Sequence, residues 1–138
     1  MKPLFSLPLA ALLSVVLLFS CKKNKDDKQP YDLKETTWQG EATMYNIQYK
    51  PIVVKFKDDN IVELTFTKTG TPSQDYIFSG TWDKPETSDA VTFEFMKGTE
   101  KVVCTATLTD NNTKMADGKF KIPTQPNFDP GNFSLTRQ

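Results

Sequence analysis

From residue 36 onward, apolar and polar residues alternate in short runs, the pattern of strands that bury one face. Trp38, Gly40, Ala42 and Met44 share a face, and Ile52, Val54 and Phe56 share the next. Asp58-Asp59-Asn60 is a tight-turn signal. Val62, Leu64 and Phe66 follow, with Lys68 to Ser73 as a Gly/Pro loop. Tyr76, Phe78, Gly80 and Trp82 form a fourth stripe, then the polar loop Asp83 to Asp89, then Val91, Phe93 and Phe95. Val102, Cys104, Ala106 and Leu108 make a sixth, and Asp110-Asn111-Asn112 a turn. Ala116, Gly118, Phe120 and Ile122 make a seventh, although Asp117-Gly118 also reads as a type I′ turn dividing it. Pro123 to Pro130 is a loop with three prolines, and Phe133 and Leu135 close the pattern. Eight strands are thus predicted, with no helical period over ten or more residues. The opposite faces carry mostly Thr, Lys, Glu and Ser, so each strand has a wet side, as in antiparallel sheets. The expected fold is all-β: an up-and-down barrel of about eight strands, with a two-sheet sandwich as the alternative. Periodicity does not separate the two.

Before residue 31 the pattern changes. Leu4 to Phe19 is an uncharged run rich in Leu, Val and Ala behind the single charge of Lys2. As a helix at ~1.5 Å per residue this run spans about 24 Å, short of the ~30 Å hydrocarbon core. Residues 1–20 therefore read as a secretory signal and not as a permanent span. Leu18-Phe19-Ser20-Cys21 resembles a bacterial lipobox. Leu18 and Ser20 match its apolar and small positions, while Phe19 stands where small or medium residues are usual. The resemblance implies cleavage before Cys21 and acylation of that residue by diacylglycerol and palmitate-type chains. At about 0.8 kcal/mol per buried CH₂, two or three chains make a stable membrane anchor. Residues 21–30 are charged and polar, as suits a solvated tether. Lys22 stands where an Asp commonly retains lipoproteins in the inner membrane, and Lys25-Asp26-Asp27 resembles a surface-export signal. The implied location is the outer membrane; the export-signal reading adds exposure at the cell surface, whereas a plain tether leaves the leaflet open.

Composition narrows the chemistry. Seventeen Lys+Arg balance seventeen Asp+Glu, so nothing marks a basic surface for nucleic acid. There is no His, which removes Ser-His-Asp and Cys-His triads and the usual zinc sites. With Cys21 acylated, Cys104 has no partner for a disulfide and reads as a small buried hydrophobe. Asp75, Asp83 and Glu94 are candidate acids, but no spacing pairs them. Asp110-Asn111-Asn112 lacks the glycine and distal Glu of a calcium loop. No cofactor, no metal and no catalysis are expected.

Trp38 on the first strand, Gly80-Thr81-Trp82 on an aromatic-rich fourth strand, and the closing Gly131-Asn132-Phe133-Ser134-Leu135-Thr136-Arg137 resemble small lipocalin-like bacterial lipoproteins. The resemblance implies a barrel with Trp38 covered by a basic residue at one end, for which Arg137 is the only arginine available. The Gly-x-Trp of lipocalins falls here at 80–82 and not on the first strand. It also implies a small apolar or amphipathic ligand inside the barrel, lined by Tyr76, Phe78, Trp82, Phe93 and Phe95. Against a cavity stands the interdigitation of these bulky residues with Gly40, Ala42, Gly80, Ala106 and Gly118, which would fill a solid core. A solid core favours docking of an envelope protein or glycan through loops such as Thr71 to Asp75 and Pro123 to Gly131, with Phe128 as an apolar contact.

Overall fold

The computed structural model describes residues 32–83 and 88–138. The expected signal, Cys21 and tether lie outside the described residues. The alternating pattern folds as eight antiparallel strands: β1 (Thr36–Met44), β2 (Ile47–Phe56), β3 (Ile61–Lys68), β4 (Gln74–Asp83), β5 (Ala90–Lys97), β6 (Glu100–Thr109), β7 (Lys114–Lys121) and β8 (Gly131–Arg137). They pair in sequence order, and β8 returns to β1, so the sheet closes into a barrel. The sandwich alternative is thereby excluded. Strand-to-strand hairpins keep each neighbour local, and closure leaves no free first or last edge.

Short turns make this possible. Between β1 and β2, Tyr45 and Asn46 both have left-handed φ (51° and 61°), the conformation of a two-residue hairpin loop. Asp58-Asp59-Asn60 forms a single 3-10 turn between β2 and β3, again with left-handed φ at Asp59 and Asn60. Asp110-Asn111-Asn112 turns β6 into β7, and the Asp110 carboxylate is held by Lys114 Nζ at 2.6 Å.

Two strands break the simple alternation. In β2, Gly40 pairs with Ile52 but Ala42 pairs with Tyr49, and β3 shows the same offset. The Lys50-Pro51 step therefore holds an extra residue against both neighbours, at a proline that has no N–H for the ladder. In β7, Met115 pairs with Leu135 but Gly118 pairs with Phe133, and the offset against β6 matches. Asp117 sits there with φ 53°. The Asp117-Gly118 signal is thus a bulge inside one continuous strand and not a hairpin turn. The bulge also corrects the face assignment: Met115 is buried, and Ala116 is only half-buried. Ile122 lies just beyond β7 but is buried.

Inside the barrel, Trp38 is fully buried, with its indole N–H donating to Thr36 Oγ1 at 2.9 Å. Thr36 Oγ1 in turn donates to the Leu33 carbonyl. Trp38 is the register partner of Arg137 on β8, so the two residues leave the sheet on the same face at the same end. Cys104 is fully buried in this core, and burial pushes its thiol well above the usual range. It is a packing residue, as its strand position predicts.

Candidate functional site

Ten aromatic rings run through the barrel as one connected network. Tyr76 meets Tyr49, which meets Phe66. Phe66 contacts Phe78, Phe95 and Phe120. Phe120 leads through Phe133 to Phe93, then to Phe56 and Trp82. Successive centroids lie between 4.9 and 6.2 Å apart, many of them edge-on. That spacing is direct ring contact, so these side chains fill the interior around them.

The five rings expected to line a ligand site belong to this network but fall into two groups. Trp82, Phe93 and Phe95 are buried. Trp82 sits at the end of the barrel that holds Trp38, and its indole N–H donates to the Lys57 carbonyl at 3.2 Å. Phe93 and Phe95 are locked among neighbouring rings. Tyr76 and Phe78 are only half-buried. The Tyr76 hydroxyl donates to Gln74 Oε1 at 2.9 Å, toward solvent.

The reason lies in the seam between β4 and β5. Among the described residues four pairs join them, from Asp83–Thr92 to Gly80–Phe95. Both strands continue past Gly80 and Phe95, β4 back to Gln74 and β5 on to Lys97, yet no pair follows. A Cβ built on Gly80 would lie 1.8 Å from the Glu94 carbonyl oxygen. The two backbones therefore approach closely at Gly80, which only a residue without a side chain permits, and beyond it β4 parts from β5. Tyr76 and Phe78 face inward beside this opening. Ile77 (76% exposed) and Met96 (51% exposed) flank it on the outside.

The same end of the barrel carries a second cluster that the alternation did not reveal. Tyr45, from the β1–β2 turn, donates its hydroxyl to Glu100 Oε2 at 3.0 Å, and Gln125 Nε2 donates to Glu100 Oε1 at 3.0 Å. Lys97 Nζ lies 4.3 Å from the Tyr45 ring centroid, and the Phe128 ring lies 5.8 Å from it. Phe128 thus packs over the barrel end, yet remains 43% exposed. Burial, helped by the Glu100 carboxylate, pushes the Tyr45 phenol up to about 12. These residues come from separate loops and strands, so no sequence spacing marks them.

The candidate acids do not assemble. Asp75 and Asp83 sit at opposite ends of β4, and Glu94 forms an ion pair with Lys101 at 2.8 Å on the outer face. No protein-family model matches this chain, and no curated protein or solved structure is significantly similar to it.

Proposed function

We propose that this protein is a lipid-anchored lipoprotein of the bacterial outer membrane whose lipocalin-like barrel binds a small apolar or amphipathic ligand without catalysis. The observation that carries this reading is the pair of half-buried rings, Tyr76 and Phe78, at the point where β4 leaves β5. A ligand seated there extends the stacked network, covers Phe78 and takes Ile77 and Met96 as an apolar rim. Apolar lining with a few polar groups is the usual make-up of a small-molecule site.

The layout suits a tethered protein. The chain reaches β1 through Leu33, at the barrel end that also holds Trp38, Trp82 and Arg137. The β4–β5 opening lies toward the other end.

Two measurements test the two halves of the proposal. Replacing Cys21 with Ser is expected to release the protein into the soluble fraction with its fold intact, as seen by membrane fractionation and circular dichroism. Persistent membrane association of that variant contradicts lipid anchoring. For the ligand, the uncharged fluorophore N-phenylnaphthylamine is expected to brighten on titration with the Cys21→Ser protein. The double variant Tyr76→Ser, Phe78→Ser is expected to lose that signal, and an unchanged titration rejects the opening as the site. A second reading, docking of an envelope protein or glycan, is favoured by the ring contacts that fill the interior. It predicts that N-phenylnaphthylamine does not bind at all.

A further inference from the structure

The loop from 122 to 130 shapes a groove separate from the β4–β5 opening. Its three prolines restrict the backbone, and two turn bonds fold it back on itself. Gln125 N–H donates to the Ile122 carbonyl at 2.8 Å, and Phe128 N–H donates to the Gln125 carbonyl at 3.0 Å. Its return is fastened by Tyr45 N–H, which donates to the Pro130 carbonyl at 2.8 Å. Between this loop and the outer face of β6 and β7 lies a concavity of about 650 Å³. Val103, Pro126 and Phe128 contribute apolar surface to it, and Lys119 and Lys121 stand along one side.

Lys34, Lys50, Lys57, Lys101 and Lys114 all hold carboxylates. Lys119 and Lys121, like Lys55, Lys68 and Lys97, hold none among the described residues. Their cross-strand neighbours are Thr105 and Asn132 for Lys119 and Val103 for Lys121. Two residues apart on one strand, they project from the same face about 7 Å from each other. The one acid lining the groove, Asp129, has its Oδ1 taken by Gly131 N–H at 3.0 Å, at the loop's return. An apolar trough beside two uncommitted ammonium groups complements a molecule with a hydrocarbon tail and a single anionic head.

We infer that this groove binds a free fatty-acid-type carboxylate, with its tail along Val103, Pro126 and Phe128 and its head between Lys119 and Lys121. The volume falls within the ~300–1,000 Å³ typical of small-ligand sites. This inference does not depend on a ligand at the β4–β5 opening.

The test uses the Cys21→Ser protein and dodecanoate below its micellar concentration, followed by amide NMR shifts and calorimetry. Shifts are expected at Val103, Lys119, Lys121, Gln125 and Phe128, with dodecanoate bound more tightly than dodecyltrimethylammonium. The double variant Lys119→Glu, Lys121→Glu is expected to keep its melting temperature, weaken dodecanoate by about tenfold or more, and reverse the preference for the cation. N-phenylnaphthylamine binding at the other site is expected to be unchanged in that variant, which separates failure of one site from failure of the other. A Val103→Glu variant supplies an independent block of the trough and is expected to weaken dodecanoate as well. Equal affinity for the two surfactants, shifts confined to Tyr76 and Phe78, or binding to phosphatidylglycerol vesicles without binding to monomeric dodecanoate would each overturn the inference.

Discussion

The barrel has two seams on opposite sides, β1–β8 and β4–β5, and they behave differently. Each contains a glycine pressed against its neighbour's backbone. A Cβ on Gly40 would lie 1.9 Å from the Ser134 carbonyl oxygen, and one on Gly80 would lie 1.8 Å from that of Glu94. Yet β1 and β8 stay paired from Trp38–Arg137 to Met44–Gly131, while β4 and β5 part immediately beyond Gly80. The difference lies in the flanking strands. On either side of the closing seam, β2 and β7 each carry an extra residue against both of their neighbours. Bulges add local twist and bend a sheet, so the curvature needed for closure is taken up beside the seam. Around β4 and β5 the ladders run without a register shift among the described residues. There no bulge takes up the curvature, and the ladder ends at the close approach of Gly80 to Glu94. A closed barrel can therefore concentrate its looseness in one place, and in this one that place holds the half-buried aromatics.

The largest expected effect is on the tight seam. Trp38→Ala removes a fully buried indole and the N–H bond to Thr36, and is expected to cost about 3–5 kcal/mol in denaturant unfolding. A near-neutral change would mean that the closing seam does not depend on this ring. Next come the two glycines. Gly40→Ala and Gly80→Ala each force a methyl against a carbonyl and are expected to destabilise by about 1–3 kcal/mol. Gly40→Ala should cost more, because β1 is held on both sides whereas β4 can swing away from β5. The opposite ranking would break the comparison. The smallest effect concerns Tyr45, which packs at the end toward which the loose seam opens. Its folded phenol titrates near 12 against 10.0 when unperturbed. The unfolded chain loses this proton first, so stability should be flat below about pH 10 and decline as pH rises toward 12. Thermal melts of Tyr45→Phe should show a shallower decline than the parent over that window. Parallel curves would remove Tyr45 from the alkaline response.

Strand existence was legible because alternation reports which face is buried, and a closed single-layer barrel buries one face of each strand. The errors fall where the period is broken. Tyr49 and Ile52 both point inward across the Lys50-Pro51 bulge, so simple alternation in β2 picks up the inward stripe only from Ile52. Alternation places Ala116 inward in place of Met115 because the extra residue at Asp117 shifts the phase by one. The candidate site was legible in part for a related reason. Alternation places Tyr76, Phe78, Trp82, Phe93 and Phe95 on the inner face, but not how far each strand stays zipped to the next. Only the ladder shows that three are packing residues and two border an opening. The Tyr45, Glu100 and Gln125 cluster joins residues far apart in the chain, and nothing local in the sequence records such a contact.

One backbone bond has a wider consequence. Gln138 N–H donates to the Thr37 carbonyl at 2.9 Å, so the last residue lies alongside the start of β1. A few residues of linker from Gln138 to Asp32 would turn the β1–β8 seam into an ordinary hairpin. New termini cut at the Gly98-Thr99 turn would then yield a circular permutant in which the most distant strand pairing in the chain has become local. Since non-local pairing slows the folding of β proteins, such a permutant should fold faster than the parent if closure of this seam limits the rate.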